Sequence, residues 1–133
     1  MILLDTSALI DSLCAPHTSA PHLRAALERG ERILVPTLVL FEWLRGPRVP
    51  QELAAQEALF PGESSIPFGP DEARVAAGLY RVVAGARGRE LDIAIAACAV
   101  SRQAELWTLN MDDFSDIPQL RVSRPRSPPK SSP

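Results

Sequence analysis

Apolar positions along this chain fall into short runs that alternate with helical patterns. Ile2–Leu4 is an apolar triplet, too short for a helix, and reads as a buried strand. A helical pattern follows from about Thr6 to Leu13. Residues 15–20 form a loop containing Pro16. Pro21 opens a second helix through Leu27, stopped at Gly30. Ile33–Val35 is a short strand, and the helix after Pro36 ends at Gly46-Pro47. Pro50 opens another helix, to about Leu59, and Ile66–Phe68 is predicted as a strand. Pro70-Asp71-Glu72 places a proline and two acids in a first helical turn, and that helix runs to about Ala84. Gly85 and Gly88 break the chain before a long apolar helix over 91–103. Leu106–Thr108 and Leu120–Val122 are the last predicted strands.

Short, wholly apolar strands alternating with helices predict an α/β fold, with a small parallel sheet covered by helices on both faces. At 133 residues and 46% hydrophobic, the chain fits one domain with a real core. That domain is expected over 1–122. The last ten residues, RPRSPPKSSP, contain only Arg, Lys, Pro and Ser and cannot bury a core. Residues 123–133 therefore read as a disordered basic tail. The longest apolar runs fall well short of the roughly 20 residues a membrane helix needs. The opening MILLD lacks the basic region of a signal peptide, so a cytoplasmic protein with no membrane association is expected. Cys14 and Cys98 form no CxxC and read as free thiols, while His17 and His22 lack metal-ligand spacing.

Charge narrows the picture further. Up to residue 120, ten basic residues face sixteen acids, a balance of −6. Residues 121–133 carry four basic groups and no acid, hence +4. An acidic body does not bind nucleic acid by bulk charge, so any such role needs a local site.

Four acidic positions stand out, and each has a plain alternative. Asp5 follows the first strand, where α/β folds bind ligands, but it could simply cap the next helix. Glu42 interrupts LVLFEWL, a stretch apolar at every other position, which predicts a buried helix and a partly buried acid. Arg45 offers it an ordinary i,i+3 partner. Asp92 heads LDIAIAACAV, whose alanines let the helix press close to the sheet, but an acid also suits a helix N-terminus. Asn110-Met111-Asp112-Asp113 follows the Leu106–Thr108 strand, where turn chemistry alone explains Asn and Asp. Carboxylates gathered at one sheet edge repel unless a cation sits among them. An oxygen-only donor set selects Mg²⁺ or Mn²⁺ over zinc.

The stretches LLDTSALID, VPTLVLFEWLRG, ELDIAIAACAV and LWTLNMDDFSDIPQLRV, in that order, resemble the PIN-domain ribonucleases. Within them they are most similar to the VapC-type toxins of prokaryotic toxin–antitoxin pairs. The resemblance covers about residues 1–122. It implies a PIN-like three-layer α/β/α fold and a Mg²⁺- or Mn²⁺-dependent endoribonuclease. It also implies a homodimer and a cognate small antitoxin. Carried over residue by residue, Asp5, Glu42, Asp92 and Asp113 become the catalytic and metal-binding acids. Thr6 or Ser7 matches a supporting hydroxyl. The family often has Thr-x-Asp where this chain has Thr108-Leu109-Asn110, so Asn110 or Asp113 fills the fourth position and Asp112 is the outsider. Arg87 and Arg89, in the loop before Asp92, and then Arg45 are expected to position the RNA backbone.

Two other classes compete. One is a PIN-like module that binds RNA or protein without cutting. The other is a phosphotransfer domain with Asp5 as nucleophile. Such phosphatases usually place a second Asp two residues on, where this chain has Ser7, and receiver domains want a late Lys, where the sole Lys is Lys130 in the tail.

Overall fold

The computed structural model describes residues 1–127 of the chain. Its centre is a four-stranded sheet in the order β2-β1-β3-β4. The strands are β1 (Ile2–Leu4), β2 (Ile33–Leu34), β3 (Glu105–Trp107) and β4 (Arg121–Ser123). Every pairing is parallel: Leu3 faces Leu34 on one side and Leu106 on the other, and Leu106 faces Val122. Successive strand residues point to opposite faces, yet Leu3 and Leu4 are both 0% exposed. Both faces of the sheet are therefore covered, as a parallel sheet requires.

Six helices supply the cover: α1 (Thr6–Leu13), α2 (Ala20–Glu28), α3 (Thr37–Arg45), α4 (Pro50–Leu59), α5 (Pro70–Val82) and α6 (Glu90–Arg102). This is the three-layer α/β/α arrangement predicted. Proline lies in the first turn of α2, α4 and α5, where the lost N–H would have no helical partner anyway. The α2 helix stops at Gly30, whose φ of +80° suits glycine. Ile95 through Ala99 of α6 are all 0% exposed. The helix packs against α5, α3 and β3, and its small side chains permit that close approach.

Two expectations need correction. Ile66–Phe68 is not a strand. It makes one parallel bridge, Pro36 to Ile66, held by Ile66 N–H to Val35 O (3.0 Å) and Thr37 N–H to Ile66 O (2.8 Å). Likewise α3 is not buried all round. Val39 and Trp43 are fully buried, while Phe41 and Leu44 stand 56% and 55% exposed.

At the C-terminal end, Ser123 and Arg126 of the expected tail are engaged. Ser123 ends β4, its carbonyl accepts the Thr108 N–H (3.0 Å), and its hydroxyl bonds Glu105. Arg126 pairs with Glu105 at 3.1 Å. The rest of the expected tail from residue 128 onward lies outside the described residues. Cys14 and Cys98 are free thiols.

Candidate functional site

The topology creates the site. From β1 the chain crosses through helices to β2 on one side, and later returns to β3 on the other. The crevice beyond the carboxyl ends of β1 and β3 is therefore a switch point, the place where such sheets bind ligands. Asp5 stands at its edge, with its N–H donating to the Trp107 carbonyl at 3.0 Å.

Asp5 occupies the N-cap position of α1, but its side chain makes no capping bond. It is 4% exposed, and a buried carboxylate needs partners. Two hydroxyls serve it. Thr108 Oγ1 donates to Asp5 Oδ2 at 2.7 Å and Ser7 Oγ donates to the same oxygen at 3.0 Å. Each hydroxyl is itself fixed from the loop after β3: Leu109 N–H donates to Ser7 Oγ (2.9 Å) and Asn110 N–H to Thr108 Oγ1 (3.0 Å). Both donors converge on Oδ2, and no described residue donates to Oδ1. The bland reading of Asp5 as a helix cap fails on this geometry.

Glu42 hangs from α3 toward the same place. Its Oε1 accepts from Thr6 Oγ1 at 2.6 Å, and its Oε2 pairs with Arg45 at 3.3 Å. Both readings of Glu42 thus hold at once, one per oxygen. The Arg45 guanidinium also lies over the Phe41 ring, 5.2 Å from its centroid.

Asp92 sits in the first turn of α6 and is partly buried. Its carboxyl is pushed up to about 6. Burial is the main cause, followed by the charges of Asp113, Asp5 and Glu42, with Arg89 opposing them. The charges of the other three acids are therefore all felt at Asp92. Asp113 belongs to a 3₁₀ turn, Met111–Asp113. Asn110 reaches the cluster through its backbone N–H, and Asn110, Asp112 and Asp113 are all exposed.

The arginines divide. Arg87 is exposed. Arg89 is held by Asp116 at 2.7 Å, so it does not stand free toward solvent as expected. Thr108 is the functional side chain that sequence reasoning passed over. It is a hydroxyl at 0% exposure directly after an apolar strand, and such a group demands a buried partner.

The donor chemistry fits a hard divalent cation: carboxylate oxygens, with one oxygen of Asp5 not engaged by the two hydroxyls that hold the other. Among the described residues, no three His, Cys, Asp or Glu side chains are placed so that they could hold a metal ion together. Like charges spread apart, and Mg²⁺ retains waters and takes only one or two carboxylates directly, so an open cluster suits it.

Comparison with known proteins agrees with this layout. The family model described as PIN domain matches residues 2–120. Ribonuclease VapC19 of Mycobacterium tuberculosis is 36% identical over 123 residues, covering 91% of this chain and 98% of that protein. DNA-bound VapBC from Salmonella typhimurium aligns with a TM-score of 0.72 at 21% identity, over 92% of this chain and 96% of that one. VapBC-5 of M. tuberculosis, described as a member of the VapBC family of toxin-antitoxin systems, gives 0.60 at 23% identity, over 92% and 96%. At those identities the structural matches speak for the fold alone.

Proposed function

This chain belongs to the PIN-domain family, and we propose that its acidic cleft is the active site of a Mg²⁺- or Mn²⁺-dependent endoribonuclease. The observation that carries this reading is Asp5, a buried carboxylate held by two hydroxyls, whose charge acts on Asp92 together with those of Asp113 and Glu42. A helix cap or a solvated turn would not need that arrangement. Asp5, Asp92 and Asp113 would hold the cation, with Glu42 beside them. When bound, the cation supplies charge neutralisation at the phosphate and a water of lowered pKa.

The protein's own residues do the rest. Ser7 and Thr108 lock the Asp5 carboxylate in one orientation. Thr6 holds Glu42 Oε1 and Arg45 pairs with Oε2, and in this reading Glu42 would orient water and accept its proton. Water adds to phosphorus and the bond from phosphorus to the 3′ oxygen breaks. The products then carry 5′-phosphate and 3′-hydroxyl ends. Arg87, exposed beside the cleft, is suited to a backbone phosphate.

The relatives extend the reading to a toxin of a prokaryotic toxin–antitoxin pair, acting in the cytoplasm. A cognate antitoxin would place a basic side chain among the unpaired carboxylates. Exposed Phe41 and Leu44 on α3 offer apolar surface for the antitoxin or for a second copy in a homodimer. Among the described residues, no helix is long and apolar enough to cross a membrane.

A metal-depletion assay tests the reading. Purified protein with a structured RNA should cut only when Mg²⁺ or Mn²⁺ is restored after chelation, leaving 5′ ends that a ligase accepts. Cutting that persists in excess chelator, or 2′,3′-cyclic phosphate ends, would reject it. A phosphoryl group trapped on Asp5 would instead favour the phosphotransfer class.

A further inference from the structure

We infer that Arg89 is a positioning residue that fixes the Asp113 turn against the Asp92 helix, rather than a contact for the RNA backbone. The inference rests on the metal-dependent reading of the acidic cleft. Its basis is the geometry of one guanidinium. Nη1 and Nη2 grip the two oxygens of Asp116 at 2.9 and 2.7 Å, a bidentate fork. Nη2 also donates to the backbone carbonyl of Asp113 at 2.9 Å, and Nη1 to that of Ala84 at 3.3 Å. Four of the five guanidinium N–H groups are thus committed within the protein, and no fork remains for a phosphate.

What these bonds join gives them their role. Arg89 is the N-cap residue of α6, three positions before Asp92. Its other end holds Asp113 by that residue's own carbonyl, and Asp116 three positions on. The clamp therefore spans the two elements that bring Asp92 and Asp113 to the cleft. Those carboxylates repel each other, and Asp113 is the foremost charge acting on Asp92. Buried Phe114 and Ile117 anchor this segment to the core, and the Arg89 bonds add a tether at the Asp113 backbone itself. Gly88, at φ +89°, turns the chain so that Arg89 enters at this angle. A lysine could not reproduce the planar fork together with the carbonyl bond.

The test measures Mn²⁺ affinity by calorimetry on the full chain, without RNA, alongside the melting temperature and amide exchange at Ser115 within the held turn. Arg89→Ala and Asp116→Ala should each weaken Mn²⁺ binding by about 10-fold, the scale for residues that orient metal ligands, and speed exchange at Ser115. Arg89→Lys should fall between them and the native protein. Native Mn²⁺ affinity in both alanine variants, whatever their melting temperature, would overturn the inference. Asp5→Asn separates the two levels. If it abolishes Mn²⁺ binding while the Arg89 and Asp116 variants bind normally, the clamp is refuted and the site stands. If the native protein binds no Mn²⁺, both fall together.

Discussion

Asp92 shows how one side chain reports on its neighbours. Its carboxyl, raised to about 6, holds its proton better in the folded chain than in the unfolded one, where 3.8 is ordinary. The metal-free fold therefore carries a stabilising contribution below about pH 4 that is lost as pH rises through 6. Asp92→Asn should stabilise the metal-free protein at pH 7.5, by about 1 kcal/mol once solvent screening is allowed for, and change little at pH 4. Thermal melts in chelator at the two pH values would show it; an equal effect at both would mean that charge repulsion is not the cause. At this scale the sequence was partly readable. Asp5, Glu42 and Asp92 each break an apolar pattern, and the structure brings them together. Thr108 was hidden because a hydroxyl after a strand is common, and only its burial against Asp5 reveals its use. The partners of Arg89 were hidden as well. A glycine-flanked arginine looks solvated until its partner, 27 residues further on, is folded beside it.

Among elements, boundaries followed hydrophobic runs and proline. The helices α1 and α4 match their predicted spans, since Thr6 follows a strand end and Pro50 opens a helix. The strand expected at Ile66–Phe68 is reduced to one bridge at Ile66, since an apolar run does not display whether a neighbour will pair along its whole length. The end of β4 shows the same limit. Ser123 looks like tail in a Pro- and Arg-rich stretch, yet its carbonyl accepts the N–H of Thr108, the residue whose hydroxyl holds Asp5. Removing residues 123–133 should destabilise the fold by about 2 kcal/mol relative to a chain ending at Ser127, because it unpairs a buried amide and the Glu105 partners. Urea melts of the two chains would measure this, and coincident curves would show that β4 is secure without Ser123.

For the whole molecule, parallel topology is what converts scattered acids into a site. Asp5, Glu42, Asp92 and Asp113 lie far apart in sequence, and strand order 2-1-3-4 returns their elements to one crevice. The alternation of strands and helices foretold that architecture. It could not foretell which arginines face the crevice, because that depends on side-chain partners. The same acidic crevice within an acidic body explains how RNA cleavage could be local and still require a cation to offset repulsion. The most direct test is single-turnover cleavage of one RNA by native protein and Asp5→Asn at saturating Mn²⁺, with melting curves confirming that both are folded. The account predicts a loss of about 100-fold or more, since Asp5 is the buried carboxylate that two hydroxyls hold at the proposed cation site. A folded Asp5→Asn protein that cuts at the native rate would contradict it.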